Sequence, residues 1–339
     1  MAEELKIGMI GTGRIARVHA NAYKTVQGGK LVACADVYYD TAKSFANDYG
    51  LDSYTDYNEL LARKDINGVI IATPNGLHAE QMIAAAKAGK HVFCQKPIAL
   101  TLEDAGKMIA VAEETGIIFQ IGFMLRFTPP MPQVYETIKS GKIGDIVAIR
   151  AAIFGWEPAN EWFYMKDQGG GVILDTLIHF ADLVRWLGGD VERVYSEGGA
   201  YILEGAKKHK SPDNAAVMMK HTNGGVSSLF VSWTTGYGNF FFEVYGTKGT
   251  ISVNLLEKQT STLFIKPNNK ESASGWSYPD LVWSYGYSGE QQYFINQILG
   301  KEKRGQATGK DGIASLELVL KAQASLDEVA ILPINNAGA

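Results

Sequence analysis

Two hydrophobic rhythms divide the chain. In the N-terminal part, short continuous apolar runs alternate with segments whose apolar residues recur three or four apart. The runs Leu5 to Ile10, Leu31 to Ala35, Gly68 to Thr73, His91 to Cys94 and Ile117 to Phe123 suit buried parallel strands. Helices are predicted from the glycines after Ile10 through Tyr23, over Thr41 to Tyr49, as a short turn over Tyr57 to Leu61, and over His78 to Ala88 and Leu102 to Thr115. Such βα alternation predicts an α/β domain with a doubly wound parallel sheet. From Ile146 the period becomes two, over Ile146 to Phe154, Val191 to Ala200, Asn214 to Lys220, Gly225 to Thr234, Phe240 to Tyr245 and Gly249 to Asn254, and more weakly over Ser261 to Ile265. These runs predict an α+β domain with a large open, mostly antiparallel sheet packed against helices on one face. Pro129 and Pro130 mark the crossing, so domains are expected at 1–123 and 124–339. Helices are also expected over Val134 to Lys139, Glu290 to Leu299 and Thr308 to Val329.

One segment of the second part breaks the period-two rhythm. Gly169 to Gly189 reads GGGVILDTLIHFADLVRWLGG. Its apolar residues have helical spacing, which predicts one core-facing helix bracketed by glycines. Asp175 and His179 lie four apart, about 40° in azimuth and about 6 Å along the axis of a regular helix. They therefore share a face and can reach one small molecule. Before this helix, Trp156 to Lys166 is an aromatic loop that either walls a substrate pocket or anchors an interface. Asn160 lies in it.

The first βα turn carries phosphate-binding chemistry. Gly11-Thr12-Gly13-Arg14-Ile15-Ala16 follows a predicted strand and opens a predicted helix. This is the GxGxxA form of the dinucleotide fingerprint, in which Gly11 permits the tight turn, Gly13 lets a pyrophosphate approach and Ala16 lets helix and sheet pack closely. Asp36 ends the second strand, 23 residues after Gly13, at the spacing of an acid that binds ribose hydroxyls. Its charge repels a 2′-phosphate and no Lys or Arg follows before Lys43, so NAD is expected over NADP, although Arg14 can assist a phosphate. Thr73, Pro74, Asn75 and Lys96 follow strand ends, where open α/β sheets bind ligands. Proline restricts the residue before it, so Lys96 presents a fixed point charge to a developing alkoxide. His78 begins a helix beside the same edge and serves either the ligand or the packing. His179 is a base suited to neutral pH, Asp175 can bind a substrate hydroxyl or orient His179, and Arg126 and Lys166 are cations for an anionic substrate group.

Composition narrows the partners. The 339 residues are 46% hydrophobic and 20% charged, enough for two cores, and net charge is -4. No basic tract indicates nucleic acid, and no basic helix or long apolar run indicates a membrane. The opening MAEELKIGMI has no signal-peptide pattern. The two cysteines, Cys34 and Cys94, lack ligand spacing and sit in strand-like contexts, so no metal is expected and a reducing, cytoplasmic compartment is.

Taken together, IGTGRIA at Ile10 to Ala16, ATPNGLH at Ala72 to His78, QKP at Gln95 to Pro97 and GGGVILDTLIH at Gly169 to His179 make the chain resemble the glucose–fructose oxidoreductase, inositol dehydrogenase and rhizopine catabolism (Gfo/Idh/MocA) family. The resemblance spans nearly the whole chain. It implies an N-terminal Rossmann domain, an α/β C-terminal domain on a large open sheet, and dehydrogenation of sugars, inositols or related rings with NAD(P). It implies catalytic roles for Lys96, Asp175 and His179, substrate contacts from Asn160 and Tyr237, and homodimers or homotetramers joined through sheet faces. Gln95 departs from the family, which has glutamate before the lysine. An NADP-preferring or coupled oxidoreductase with a tightly held cofactor, and a non-catalytic NAD-binding regulator, are the competing readings.

Overall fold

The computed structural model describes residues 4–155, 157–235, 239–254, 260–265, 274–277, 283–303 and 305–338. It divides into two compact units, Met1–Phe127 with Trp283–Ile313, and Thr128–Val282 with Ala314–Ala339. The division is therefore not a single break at 123/124. A helix over Trp283–Ile298 belongs with the N-terminal segment because of what it buries. Phe294 and Ile295 are fully buried in one cluster with Ile7, Met9, Cys34, Ile70 and Phe93. Gly29 has no side chain where Ile295 packs against it.

The first unit holds β1 (Leu5–Ile10), α1 (Arg14–Ala22), β2 (Gly29–Ala35), α2 (Tyr39–Tyr49), β3 (Asp52–Tyr54), α3 (Tyr57–Leu61), β4 (Gly68–Ile71), α4 (His78–Lys87), β5 (His91–Cys94), α5 (Leu102–Thr115) and β6 (Phe119–Ile121). Its six strands run in the order β3-β2-β1-β4-β5-β6, all parallel. Strand order reverses between β1 and β4, the place where doubly wound sheets bind ligands. The predicted strands and helices are all present. Three-residue β3 is too short to show a period. At the start of α5, Thr101 Oγ1 accepts the Asp104 N–H at 3.1 Å, and Gly116 at φ +68° ends the helix, as the capping pattern requires.

The second unit holds α6 (Met131–Lys139), β7 (Ile146–Phe154), α7 (Ile178–Gly188), β8 (Val191–Gly199), α8 (Glu204–His209), β9 (Asn214–His221), β10 (Val226–Ser232), β11 (Asn239–Gly246), β12 (Gly249–Asn254), β13 (Thr260–Ile265), β14 (Ser274–Ser277) and β15 (Leu332–Pro333). The sheet order is β14-β13-β12-β11-β7-β10-β9-β8-β15, antiparallel except for β7 against β10. On its covered face, Phe180 of α7 packs on Phe240 and Phe242, with ring centroids 4.7 and 6.0 Å apart. Met218, Val226 and Phe230 on the other face are exposed.

The glycine-bracketed segment is not one regular helix. Gly170 and Gly171 take φ +81° and +80°, and a π-helical turn over Ile173–Leu177 then runs into α7. The azimuth expected for Asp175 and His179 assumed α geometry, and a wider turn alters it. At 170 a side chain is excluded on steric grounds as well. A Cβ at Gly170 would run into Leu174, and one at Gly171 into the Ser211 hydroxyl.

Candidate active site

In the first unit the fingerprint turn has the geometry a dinucleotide needs. Gly11 sits at φ +86°, where a side chain would meet the Ala72 carbonyl. Gly13 is the N-cap of α1, and the space beside its Cα is open. A pyrophosphate can therefore approach the helix N-terminus closely. Arg14 is exposed and Ile15 half-buried in the first turn. Asp36 is fixed by the same loop. Its Oδ2 accepts the Thr12 backbone N–H and the Thr12 hydroxyl, both at 2.9 Å, and its Oδ1 accepts the Tyr38 N–H at 3.1 Å. The residues thus fit NAD, with Gly11, Thr12, Gly13 and Asp36 as its cradle. Val37, Tyr38 and Tyr39, which follow Asp36, are strongly exposed.

The loops after β4 and β5 are tied together within this unit. Thr73 donates its hydroxyl to Gln81 Oε1 at 2.6 Å, Pro74 is half-buried, and Asn75 is buried. His78 is fully buried, its Nδ1 2.8 Å from the Pro97 carbonyl oxygen and its Nε2 3.0 Å from that of Thr73. Burial pushes the imidazole down against the pull of both carbonyls. Its contacts brace the loop that carries half-buried Lys96.

Gln95 stands where the family resemblance implies glutamate. Its side chain is buried beside His19 of α1, which is also buried. His19 Nδ1 lies 3.0 Å from Gln291 Nε2 and 3.9 Å from Glu290 Oε1. Burial pushes His19 down to about 3 and Glu290 well above the carboxylate range, so the cluster is uncharged at neutral pH. A neutral imidazole donates from one nitrogen and accepts at the other, so one of the two amides meets it with its oxygen. Gly122 leaves room for the Gln95 amide. Sequence reading missed His19, Glu290 and Gln291 because their partners are remote along the chain.

Arg126 lies on the N-terminal side of the crossing between units. It is 2% exposed, and its guanidinium bonds Asp311 Oδ1 at 2.9 Å. Asp311 is held below its ordinary range by Arg126 and Thr308 despite burial. Among the described residues, no three His, Cys, Asp or Glu side chains group as a metal site, and no helix is long and apolar enough to cross a membrane.

In the second unit, Asp175 sits in the π turn and His179 in the first turn of α7, both half-buried. Thr176 Oγ1 lies 3.2 Å from Asp175 Oδ2 and accepts the Trp233 indole N–H at 2.8 Å. Neither Thr176 nor Trp233 carried a signal in the sequence beyond proximity to Asp175 or a strand end. Asn160 is exposed at the start of a single helical turn over Glu161–Tyr164. Glu161 bonds Lys208 and His209, which hold its carboxyl down at about 2. Lys166 is exposed, 3.9 Å from Asp327. Tyr237 lies outside the described residues.

A family model described as an oxidoreductase family with an NAD-binding Rossmann fold matches residues 5–123, and the model of that family's C-terminal domain matches residues 131–252. The chain belongs to the Gfo/Idh/MocA family. Among its relatives is a myo-inositol 2-dehydrogenase of Thermotoga maritima, 30% identical over 327 residues, covering 96% of this chain and 97% of that protein. A 1,5-anhydro-D-fructose reductase of Ensifer adhaerens is 31% identical over 317 residues, 91% of this chain and 92% of its own length. A solved levoglucosan dehydrogenase with NADH and L-sorbose shares the Gfo/Idh/MocA fold at a TM-score of 0.89 and 23% identity, over 99% of this chain and 100% of that one.

Proposed function

We propose that this chain transfers a hydride between NAD and a hydroxyl or keto carbon of a sugar or cyclic polyol. The observation that carries the reading is the Gly11–Gly13 turn with its braced Asp36, on the sheet whose fifth strand leads to Lys96. The inositol and anhydro-sugar activities named for the relatives support a polyhydroxylated ring as substrate. Bound nicotinamide supplies the hydride chemistry. In the proposed reaction Lys96 stabilises the developing alkoxide with a positive charge. His179 takes the hydroxyl proton during oxidation and returns it during reduction. Asp175 accepts a hydrogen bond from the substrate and holds the hydroxyl in line. The charge on Asp36 favours NAD over NADP. Two buried free thiols support a reducing, cytoplasmic setting, and the exposed Met218, Val226 and Phe230 support self-association through the open sheet face.

Titration of the purified protein with NAD and NADP, followed by assays with myo-inositol, levoglucosan and 1,5-anhydro-D-fructose, tests the reading. NAD is expected to bind about tenfold tighter or better, a difference of about 1.4 kcal/mol. Lys96→Ala and His179→Ala are each expected to lower kcat by about 100-fold or more, while His179→Ala keeps NAD affinity. Equal or tighter NADP binding would refute the Asp36 argument. Tight NAD binding with no turnover across the panel would favour a non-catalytic NAD-binding regulator.

A further inference from the structure

The Asp175 carboxylate is reached by a hydrogen-bond chain whose direction the chemistry fixes. An indole N–H only donates, so Trp233 Nε1, 2.8 Å from Thr176 Oγ1, occupies one of the lone pairs of that hydroxyl. The single hydroxyl hydrogen is then free to turn to Asp175 Oδ2 at 3.2 Å, and an ionised carboxylate only accepts. Trp233 is itself a firm anchor. It is 4% exposed, its backbone N–H bonds the Asp213 carbonyl at 2.9 Å, and its ring meets Tyr164 edge-on with centroids 5.5 Å apart. Asp213 is in turn fixed, its carboxylate accepting the backbone N–H groups of Tyr201, Ile202 and Leu203 at 2.8–3.1 Å. The chain ends in the π turn, where the widened backbone lets neighbouring side chains be re-aimed.

We propose that Trp233 and Thr176 are positioning residues for Asp175, with the indole committing the Thr176 hydroxyl hydrogen to Oδ2 and so fixing the rotation of the carboxylate that addresses the substrate. This rests on the reading of Asp175 as a substrate-side group. The relay holds one oxygen of Asp175 in a set direction before substrate arrives, which lowers the reorganisation needed in the transition state.

The relay is tested without substrate by NMR of the tryptophan indole N–H groups. The chain has 6 tryptophans, and the Trp233 signal is identified by its loss in Trp233→Phe, leaving the others as internal controls. Asp175→Asn is expected to move the Trp233 signal in the otherwise native protein and to leave it in place when Thr176 is Val. Thr176→Ser, which keeps the hydroxyl, is expected to restore the response. An equal displacement in the Thr176→Val background, or none in either, overturns the relay. With myo-inositol and NAD, Thr176→Val is expected to lower kcat about fivefold, as loss of one ordinary hydrogen bond does, with the KM for NAD unchanged and Thr176→Ser near native. A native kcat in Thr176→Val overturns the positioning role. Absence of turnover in the unaltered protein instead counts against the proposed function, and the NMR comparison still decides the relay.

Discussion

Glu290 shows how one residue ties pH to stability. Its carboxyl is fully buried, and burial raises it well above the ordinary 4.5. The folded protein therefore keeps this proton over a range where the unfolded chain has lost it. The associated stability is complete below the unfolded value and declines as pH rises through the folded one, by at most about 1.4 kcal/mol per pH unit for one proton. Glu290→Gln removes that decline. The melting temperature of the variant relative to the native protein is expected to climb as pH rises above the ordinary carboxylate range, whereas a constant difference would mean the carboxyl is not buried protonated. His19 has the opposite tendency, its stability contribution falling as pH drops from the ordinary 6.5 towards about 3, and because it lies 3.9 Å from the Glu290 carboxyl the two are coupled, so the comparison is read above the ordinary 6.5, where His19 is neutral in the folded and the unfolded chain alike. Asp36 and Lys96 were readable in the sequence because each follows a strand beside a local marker. His19, Glu290 and Trp233 were not, because their roles come from partners that only folding supplies.

Among elements, the turn that opens the motif helix is the most demanding. Ala at Gly170 must adopt φ +81° and also displace Leu174. The backbone strain alone is about 1–2 kcal/mol, so Gly170→Ala is expected to lower the melting temperature by roughly 4 °C or more. Gly106 in α5 is the matched control, since nothing crowds an added Cβ there and the residue is helical. Gly106→Ala is expected to stabilise by roughly 0.5–1 kcal/mol. Calorimetry of the two variants compares them directly, and equal effects would refute the argument from backbone conformation. The glycines were visible in the sequence as punctuation. The π turn was not, because three-and-four spacing of apolar residues fits a helix without reporting one inserted residue. The strands were legible where local, from β1 at Leu5–Ile10 to β7 at Ile146–Phe154, whereas two-residue β15 exists only through its partner β8.

At the scale of the molecule, the Rossmann unit is discontinuous. The helix Trp283–Ile298 supplies Phe294 and Ile295 to its core, and Tyr293 lies against Phe127 with ring centroids 5.3 Å apart. Each buried apolar side chain contributes about 1.5–3 kcal/mol, a large share of the 5–15 kcal/mol that holds a typical domain. A fragment ending at Phe127 is therefore expected to lack a cooperative melt, and the same fragment joined by a short Gly/Ser linker to Trp283–Ile313 to regain one. A cooperative transition in the shorter fragment would show that the helix is dispensable. The hydrophobic rhythm located both segments but did not indicate that they share a core, because an amphipathic pattern says that a face is buried and not what buries it.

That late helix bears on how the protein is made. A ribosome finishes the fingerprint turn long before it reaches this helix, and the side chains that close the core behind that turn emerge only after β7 to β14 have been synthesised. At typical elongation rates the interval is roughly 15–55 s. For that time the nascent Rossmann segment presents Ile7, Met9 and Phe93 without their covering helix. The Rossmann core is thus complete only once that helix has emerged, and chaperones have a defined interval in which an apolar surface is open to them.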